Sequence, residues 1–387
     1  MRPLGVAAFC PEPGLRALAE ALPARVADMS PLEHEPFGAV AALTRKGLFA
    51  HVVPEAHGGA TSPTGRPDRL DVRALCLVRE ALGYTSPVAD GILAVQGLGS
   101  YPLLLTGDFE GRARLLAEVA KGERVGAFAL TEPEAGSDVA SLQTVASREG
   151  DGWRLTGEKA FISNVGIANH YIVFANADPA AGKRGIAAFL VDARAEGLEL
   201  SAMPVSGGHP LGRLALAGCP GRLLGEVGHG LRTALGTLDV FRTSVGAAAC
   251  GMAARALDEA LAHVRSRRQF GKRLADFQLT QAALADMLTD LEASRLLVYR
   301  AAHAKDTGDP DASLHVAMAK LHATEAAQRV IDRAVQLHGG RGVLTGAVVE
   351  QLSRDVRPLR IYEGTSEIQK LIVGGALAKE PDGRAAG

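Results

Sequence analysis

Residues 125–138 read V-G-A-F-A-L-T-E-P-E-A-G-S-D, and the fold class turns on them. A β-like run leads into a Pro/Gly turn dense in small hydroxyl and acidic side chains. Such a turn can offer backbone N–H groups and the hydroxyls of Thr131 and Ser137 to a polar planar or phosphorylated ligand. It also marks a change of texture. Upstream, from residue 14, the chain is helical in pattern: Leu15, Leu18, Ala19 and Leu22 recur at helical spacing, as do the apolar residues of Asp71 to Leu82. Between these two runs lies the loop P-E-A-H-G-G-A-T-S-P-T-G-R-P. Downstream come short β-like runs bounded by Gly, Asp and Pro, namely R-E-G-D-G-W-R-L-T-G, H-Y-I-V-F-A, G-I-A-A-F-L-V and L-E-L-S-A.

After G-E-V-G-H-G the helical pattern returns. Leu284, Met287, Leu288, Leu291 and Val298 form an apolar stripe stopped by T-G-D-P, and another long helix runs from about Ala312 to H-G-G. The chain therefore reads as α+β, with domains at 1–124 (helical), 125–228 (β) and 229–387 (helical). No repeat of fixed period interrupts that order.

With 387 residues, several domains are expected. A formal net charge of −1, with no basic run interleaved with aromatics, gives no support for nucleic-acid or membrane-surface binding. The small-apolar run Val245 to Ala254 is too short to span a bilayer, and M-R-P-L-G-V-A-A-F-C-P-E-P-G lacks a signal-peptide core. Cys10, Cys76, Cys219 and Cys250 stand far apart without a C-x-x-C, so reduced thiols and a cytoplasmic setting are expected. No H-E-x-x-H suggests a metal; His51, Glu55 and His57 lie in a loop, and His315 and His322 are two turns apart on a helix. A G-x-S-x-G elbow and a P-loop are absent, and G-H-G-L-R-T fails the third glycine of a Rossmann fingerprint.

Near the C-terminus, I-Y-E-G-T-S-E-I-Q places Glu363 between an aromatic and a glycine. Ser366 followed by Gln369 fits a capping box, and Ile368, Leu371 and Ile372 recur at helical spacing beyond it. Glu363 thus belongs to a short loop entering a helix. By itself it reads as a solvated carboxylate near the positive end of a helix dipole.

Five blocks in order change that reading: T-E-P-E-A-G-S-D, G-E-K-A-F-I-S-N, R-R-Q-F-G-K, A-V-Q-L-H-G-G-R-G and I-Y-E-G-T-S-E-I-Q. Together they resemble the acyl-CoA dehydrogenase family, over nearly the whole chain from about residue 40. The resemblance implies an N-terminal helical domain, a β-barrel-like middle domain and a C-terminal four-helix bundle. It implies FAD held without a Rossmann domain, with Phe128, Leu130, Thr131, Gly136 and Ser137 along the flavin and Phe161 and Ser163 flanking its ring. Relatives often carry Trp and Thr at these last two positions; Ser keeps the hydroxyl. Arg267, Phe270, Gln278, Gln336, Gly339 and Gly340 match positions that hold the FAD of a neighbouring subunit, and Thr365 and Glu367 match another FAD contact. A shared cofactor implies an oligomer, by family norm a homotetramer built as a dimer of dimers. The plain alternative for R-S-R-R is a solvated basic helix end.

The resemblance places Ser137, Asp239, Arg242, Tyr362 and Gly364 at the substrate thioester and its CoA arm. Some relatives put the catalytic glutamate where this chain has Phe241, which leaves Glu363 as the implied base. The implied reaction removes the α-proton while hydride leaves the β-carbon for the flavin, giving a trans-2-enoyl-CoA. In the family, the glutamate's own N–H and a flavin ribityl hydroxyl meet the charge on the thioester oxygen. The helix holding Ile92, Leu93, Val95 and Leu98 lines the family's tail pocket; it has no Arg or Lys, which favours an uncharged acyl tail, though these residues also suit a plain helix core. The segment from Pro204 to Glu226 is shorter than usual and lacks the family's Val-Pro, an expected change in pocket access or partner surface. The implied electron acceptor is an electron-transfer flavoprotein. An oxygen-reactive, oxidase-like relative and a flavin-binding interaction protein without turnover are the alternatives.

Overall fold

The computed structural model describes residues 9–32 and 35–378. They fall into two compact units, Cys10–Phe241 and the chain from Arg242 onward. The first unit joins the segments read as helical and β.

Its helices are α1 (Pro13–Val26), α2 (Pro36–Arg45), α3 (Val72–Thr85), α4 (Pro87–Leu98), α5 (Tyr101–Leu105) and α6 (Arg112–Lys121). Their starts are written locally. Proline stands in the first turn of α1, α2 and α4, where no N–H is needed. Asp71 accepts from the Ala74 N–H and Ser86 from the Ala89 N–H, capping α3 and α4. Gly122, in the left-handed region, ends α6. Helices α3 and α4 are buried on nearly every face, and a buried ion pair joins them: Arg79 forks onto Asp90 with two 2.8 Å hydrogen bonds. The stretch Pro87–Leu105 is apolar enough to pass as a membrane span, yet 78 % of that window is buried inside the fold.

The β segment closes on itself. Strands β2 (Val145–Glu149), β3 (Gly152–Ser163), β4 (His170–Asn176), β5 (Ile186–Asp192) and β7 (Leu211–Leu224) pair in a ring: β4 with β5, β5 with β7, β7 with β3, β3 with β2, and β2 with β4 at Val145 and Asn176. Strand β1 (Gly126–Ala129) adds to β4, and β6 (Leu198–Ala202) to β7. Closure removes the open edges that a sheet of this length would otherwise present. The interior is filled by alternate residues such as Leu155, Tyr171, Val173, Phe189, Val191 and Leu214, with Val95 of α4 in the same cluster. The shortened segment appears here as β7, a single 14-residue strand that pairs with three neighbours.

Gln96, fully buried on α4, joins the two parts of this unit. Its amide donates to the carbonyls of Val119 and Arg124, and its oxygen accepts from the Gly126 N–H at 2.7 Å. A glutamine at this place satisfies the ends of both α6 and β1.

The second unit is helical. From Arg242, α7 (Gly230–Ser266) runs with α8 (Gln278–Thr307), α9 (Ala312–His338) and α11 (Ser366–Ala378) as a bundle, with the short α10 (Val348–Asp355) against α9. The small residues of α7 allow close approach: a Cβ on Gly246 would stand 2.7 Å from Val298 on α8 and 3.4 Å from Ala323 on α9. Cys10, Cys76, Cys219 and Cys250 are all buried.

In the first unit, Phe241 is fully buried, with Tyr101 edge-on at 5.9 Å. A Cβ on Gly97 would lie 2.1 Å from its ring. Gly97→Ala is therefore expected to destabilise by about 1–3 kcal/mol, the usual cost of overpacking. Urea denaturation of Gly97→Ala should show this loss, and adding Phe241→Leu should recover part of it.

Candidate active site

In the first unit, the turn after β1 is built by a buried ion pair. Lys159 (on β3) and Glu132 (in the turn) are almost fully buried and meet at 2.7 Å. The Lys159 ammonium also donates to the Leu130 carbonyl, and Glu132 accepts from the Gln143 and Thr144 N–H groups. Burial pushes the Glu132 carboxyl up, but the Lys159 charge and these hydrogen bonds outweigh it and hold it below the ordinary range. Burial lowers Lys159 to about 8, against the pull of Glu132.

Strand β3 then bulges. Its register against β7 slips between Lys159 and Ile162, and Phe161 takes a positive φ of 57°. The Ala160 N–H donates to the Thr131 carbonyl, tying the bulge to the turn. Phe161 consequently stands 58 % exposed, while Asn164, also at positive φ, is buried and donates to the Gly126 carbonyl. Phe128 leans on Phe174 in the barrel, their centroids 5.0 Å apart. Leu130 is buried, Ser163 half-buried, and Gly136 and Ser137 are exposed; a side chain at Gly136 would meet nothing within 4 Å. The structure thus brings Phe128, Leu130, Thr131, Gly136, Ser137, Phe161 and Ser163 into one region. An exposed aromatic, hydroxyls and an unobstructed glycine edge suit a flat ligand with a polar rim. Asp239 also lies in this unit, near enough to Tyr101 to help burial push that phenol up. Ile92, Leu93, Val95 and Leu98 are buried as helix core.

In the second unit, the chain leaves a 3₁₀ turn at Arg357–Arg360 and reverses through two successive left-handed residues, Glu363 (φ 53°) and Gly364 (φ 92°). A non-glycine residue in this region is strained by about 1–3 kcal/mol and persists only when its surroundings impose it. They do so here. Arg242 on α7 donates Nε to the Glu363 carbonyl at 2.8 Å. Lys320 on α9 donates Nζ to the Gly364 carbonyl at 2.7 Å, and Gln369 donates to the same oxygen at 3.0 Å. Arg242 is thus a holder of the Glu363 loop.

The expected capping box shifts by one residue. Thr365 is the cap, accepting from the Ile368 N–H at 3.3 Å, because the Ser366 hydroxyl is drawn to Glu325 on α9 at 2.6 Å. Glu325 in turn pairs with Arg360 at 2.7 Å. Gln369 reaches back to a carbonyl, where the box would have it serve an N–H. The Glu367 carboxyl is held down by its own backbone N–H and by the Thr365 hydroxyl. Tyr362 is partly exposed beside Glu363.

The remaining predicted residues gather elsewhere in this unit. Arg267 follows α7 and leads into the hairpin of β8 (Arg268–Gln269) and β9 (Lys272–Arg273). Its two-residue turn, Phe270 (φ 48°) and Gly271 (φ 78°), has the left-handed pair that tight hairpins use. It leaves Phe270 93 % exposed, and Gln278 opens α8 just beyond. His263 on α7 stacks on His338 at the end of α9, with ring centroids 4.4 Å apart. That contact brings the Gln336, Gly339 and Gly340 segment to the end of α7. Burial, then the charges of His338, Arg341 and Arg267, lower His263. Among the described residues, no three His, Cys, Asp or Glu side chains form a metal-binding group.

Sequence reasoning did not assign functions to Glu132, Lys159 or Lys320. The available signal was a lysine in an apolar setting: K-A-F-I within a strand, A-M-A-K-L within a helix.

Comparison with known proteins gives three family signatures in order: acyl-CoA dehydrogenase N-terminal domain at residues 15–123, middle domain at 127–218 and C-terminal domain at 228–378. The probable acyl-CoA dehydrogenase FadE25 of Mycobacterium tuberculosis is 38 % identical over 372 residues, 94 % of each chain. The caffeyl-CoA reductase-Etf complex subunit CarC of Acetobacterium woodii is 37 % identical over 352 residues, 87 % of this chain and 89 % of that one. Among solved structures, butyryl-CoA dehydrogenase from Megasphaera elsdenii superimposes with a TM-score of 0.87 at 32 % identity, covering 98 % of this chain and 100 % of that one.

Two substitutions test the geometry. Lys159→Met leaves the Glu132 carboxylate buried without its ion partner, and a loss of about 3–5 kcal/mol is expected in denaturant titrations near neutral pH. The Glu132 carboxyl is depressed in the fold, so its contribution to stability is present above the ordinary carboxylate range. It should drain away as pH falls through the depressed value. A Cβ on Gly364 would lie 2.6 Å from the Gln369 amide in a left-handed backbone. Gly364→Ala is expected to cut turnover more than it lowers the melting temperature, as judged by steady-state rates beside thermal denaturation.

Proposed function

The chain belongs to the acyl-CoA dehydrogenase family and is an FAD-dependent oxidoreductase acting on acyl-CoA, and from that premise we propose that Glu363 is the base that takes the α-proton. The observation supporting this reading is the strained backbone at Glu363, imposed by side chains from α7 and α9. A carboxylate held in a left-handed loop before glycine can turn both its oxygen and its own N–H toward one thioester. The N–H would meet charge developing on the thioester oxygen. Tyr362 supplies an apolar wall that keeps water from the carboxylate.

Bound FAD supplies the hydride acceptor for the β-hydrogen. The residues to hold it are Thr131, Gly136 and Ser137 of the turn, with Phe161 and Ser163 flanking. Arg267, Phe270, Gln278, Gln336, Gly339 and Gly340 hold the cofactor of a neighbouring chain in a homotetramer; the 93 % exposure of Phe270 supports this. Thr365 and Glu367 make a further contact with FAD. The product is a trans-2-enoyl-CoA, and the acyl tail is uncharged, since α4 has no Arg or Lys to meet a distal carboxylate and the neighbouring Arg79 is already matched by Asp90. Electrons pass to an electron-transfer flavoprotein, a reading favoured by the Etf complex named for one relative. Four buried thiols suit a reducing, cytoplasmic setting.

The same relative is named a reductase, which favours a second reading in which this chain runs the reaction toward the saturated thioester. One anaerobic experiment addresses both. Saturated acyl-CoAs should bleach the oxidised-flavin band of the wild type, and Glu363→Gln, with flavin retained, should bleach at least about 10²–10⁴-fold more slowly. If only enoyl-CoAs reoxidise the reduced protein and no saturated thioester bleaches it, the reductive direction holds. Equal rates for wild type and Glu363→Gln would sink the assignment of the base.

A further inference from the structure

Lys320 is fully buried in the middle of α9, in the run A-M-A-K-L-H-A. Burying an ammonium costs several kcal/mol unless it is matched, and a methionine would fill the same volume without that penalty. Its placement therefore calls for a physical reason. Nζ donates to the Gly364 carbonyl at 2.7 Å, one peptide beyond the carbonyl that Arg242 holds. The charged groups acting on it are Glu363 in the loop, Arg242 on α7, Glu325 on α9 itself and Glu367 on α11.

We propose that Lys320 is a positioning residue for the base, fixing the Gly364 carbonyl and holding the Glu363 carboxylate ionised by its charge. The inference rests on Glu363 being the base. Holding the Gly364 oxygen fixes the plane of the Gly364–Thr365 peptide, as Arg242 fixes the Glu363–Gly364 peptide, and so limits how the left-handed pair can relax. The positive charge acts on the half-buried carboxylate from a fully buried site, where it is less screened than a surface charge. Burial lowers Lys320 to about 8, with Glu363 opposing that fall and Arg242 adding to it, so the ammonium is charged at neutral pH. The sign follows. Without the ammonium, the Glu363 carboxyl takes up a proton at higher pH, and the base is lost from the acid side upward.

The test uses the flavin-loaded protein with Lys320→Met, Lys320→Gln and Lys320→Arg, following anaerobic flavin reduction by a saturated acyl-CoA against concentration and pH. Lys320→Met should keep its flavin and a half-saturating concentration within about threefold. Its limiting rate should fall roughly 10- to 100-fold, the scale of a small misplacement of reacting groups. The acid limb of its rate profile should rise by about one pH unit or more, as expected when an opposite charge is removed. Lys320→Gln, which keeps a donor without charge, should recover part of the rate but not the limb; Lys320→Arg should keep the limb. If Lys320→Met does not fold, the contrast between Gln and Arg decides the matter. Losses confined to melting temperature and flavin content, with an unmoved limb and an unchanged rate per bound flavin, would overturn the proposal. A dead Glu363→Gln beside a wild-type-like Lys320→Met removes only the role of Lys320; an active Glu363→Gln removes the base assignment itself.

Discussion

Two consecutive left-handed residues, Glu363 and Gly364, cannot hold themselves. Their conformation is imposed by Arg242, 121 positions earlier in sequence, and by Lys320, 44 positions earlier. Everything placed on that loop depends on α7 and α9 packing correctly first. The alanine- and glycine-rich face of α7 is the means, because Gly246 lets it approach α8 and α9 closely. Local strain at the loop is thus offset by packing spread over the bundle.

The same device recurs in the first unit with different elements. There a buried lysine on a strand holds an acidic turn, and the bulge that follows presents an aromatic ring outward. In both units, a lysine with little exposed surface holds a carbonyl of a candidate-site loop. Charge buried in this way is a poor source of net stability but a strong constraint on geometry, since breaking such a pair costs more than replacing it whole would.

Much of this was legible in the sequence because it is periodic or local. The β-like runs that become β3 to β6, the helical spacing of α1 and α3, and the Gly-Gly after α9 act within a few residues. Five ordered blocks carried the family and named the candidate site residues. What escaped was set by distance along the chain. Nothing near Lys159 announces Glu132, 27 positions away, or the ring closure that brings β2 back to β4. The cap at Thr365 was misread as Ser366 for the same reason: the competing acceptor, Glu325, lies 41 positions upstream. The shortened segment was visible as a length difference, but only pairing with β3, β5 and β6 makes it one continuous strand.

The four cysteines offer a different use. Cys10, Cys76 and Cys219 lie in the first unit and Cys250 on α7 in the second, all of them buried. Burial also pushes the Cys219 thiol up to about 11, so even an encounter with reagent finds little thiolate. Alkylation must therefore wait for the fold to open. The native chain carries its own clocks: the rate at which each thiol is capped reports how often its surroundings breathe, residue by residue, without any label having to be introduced.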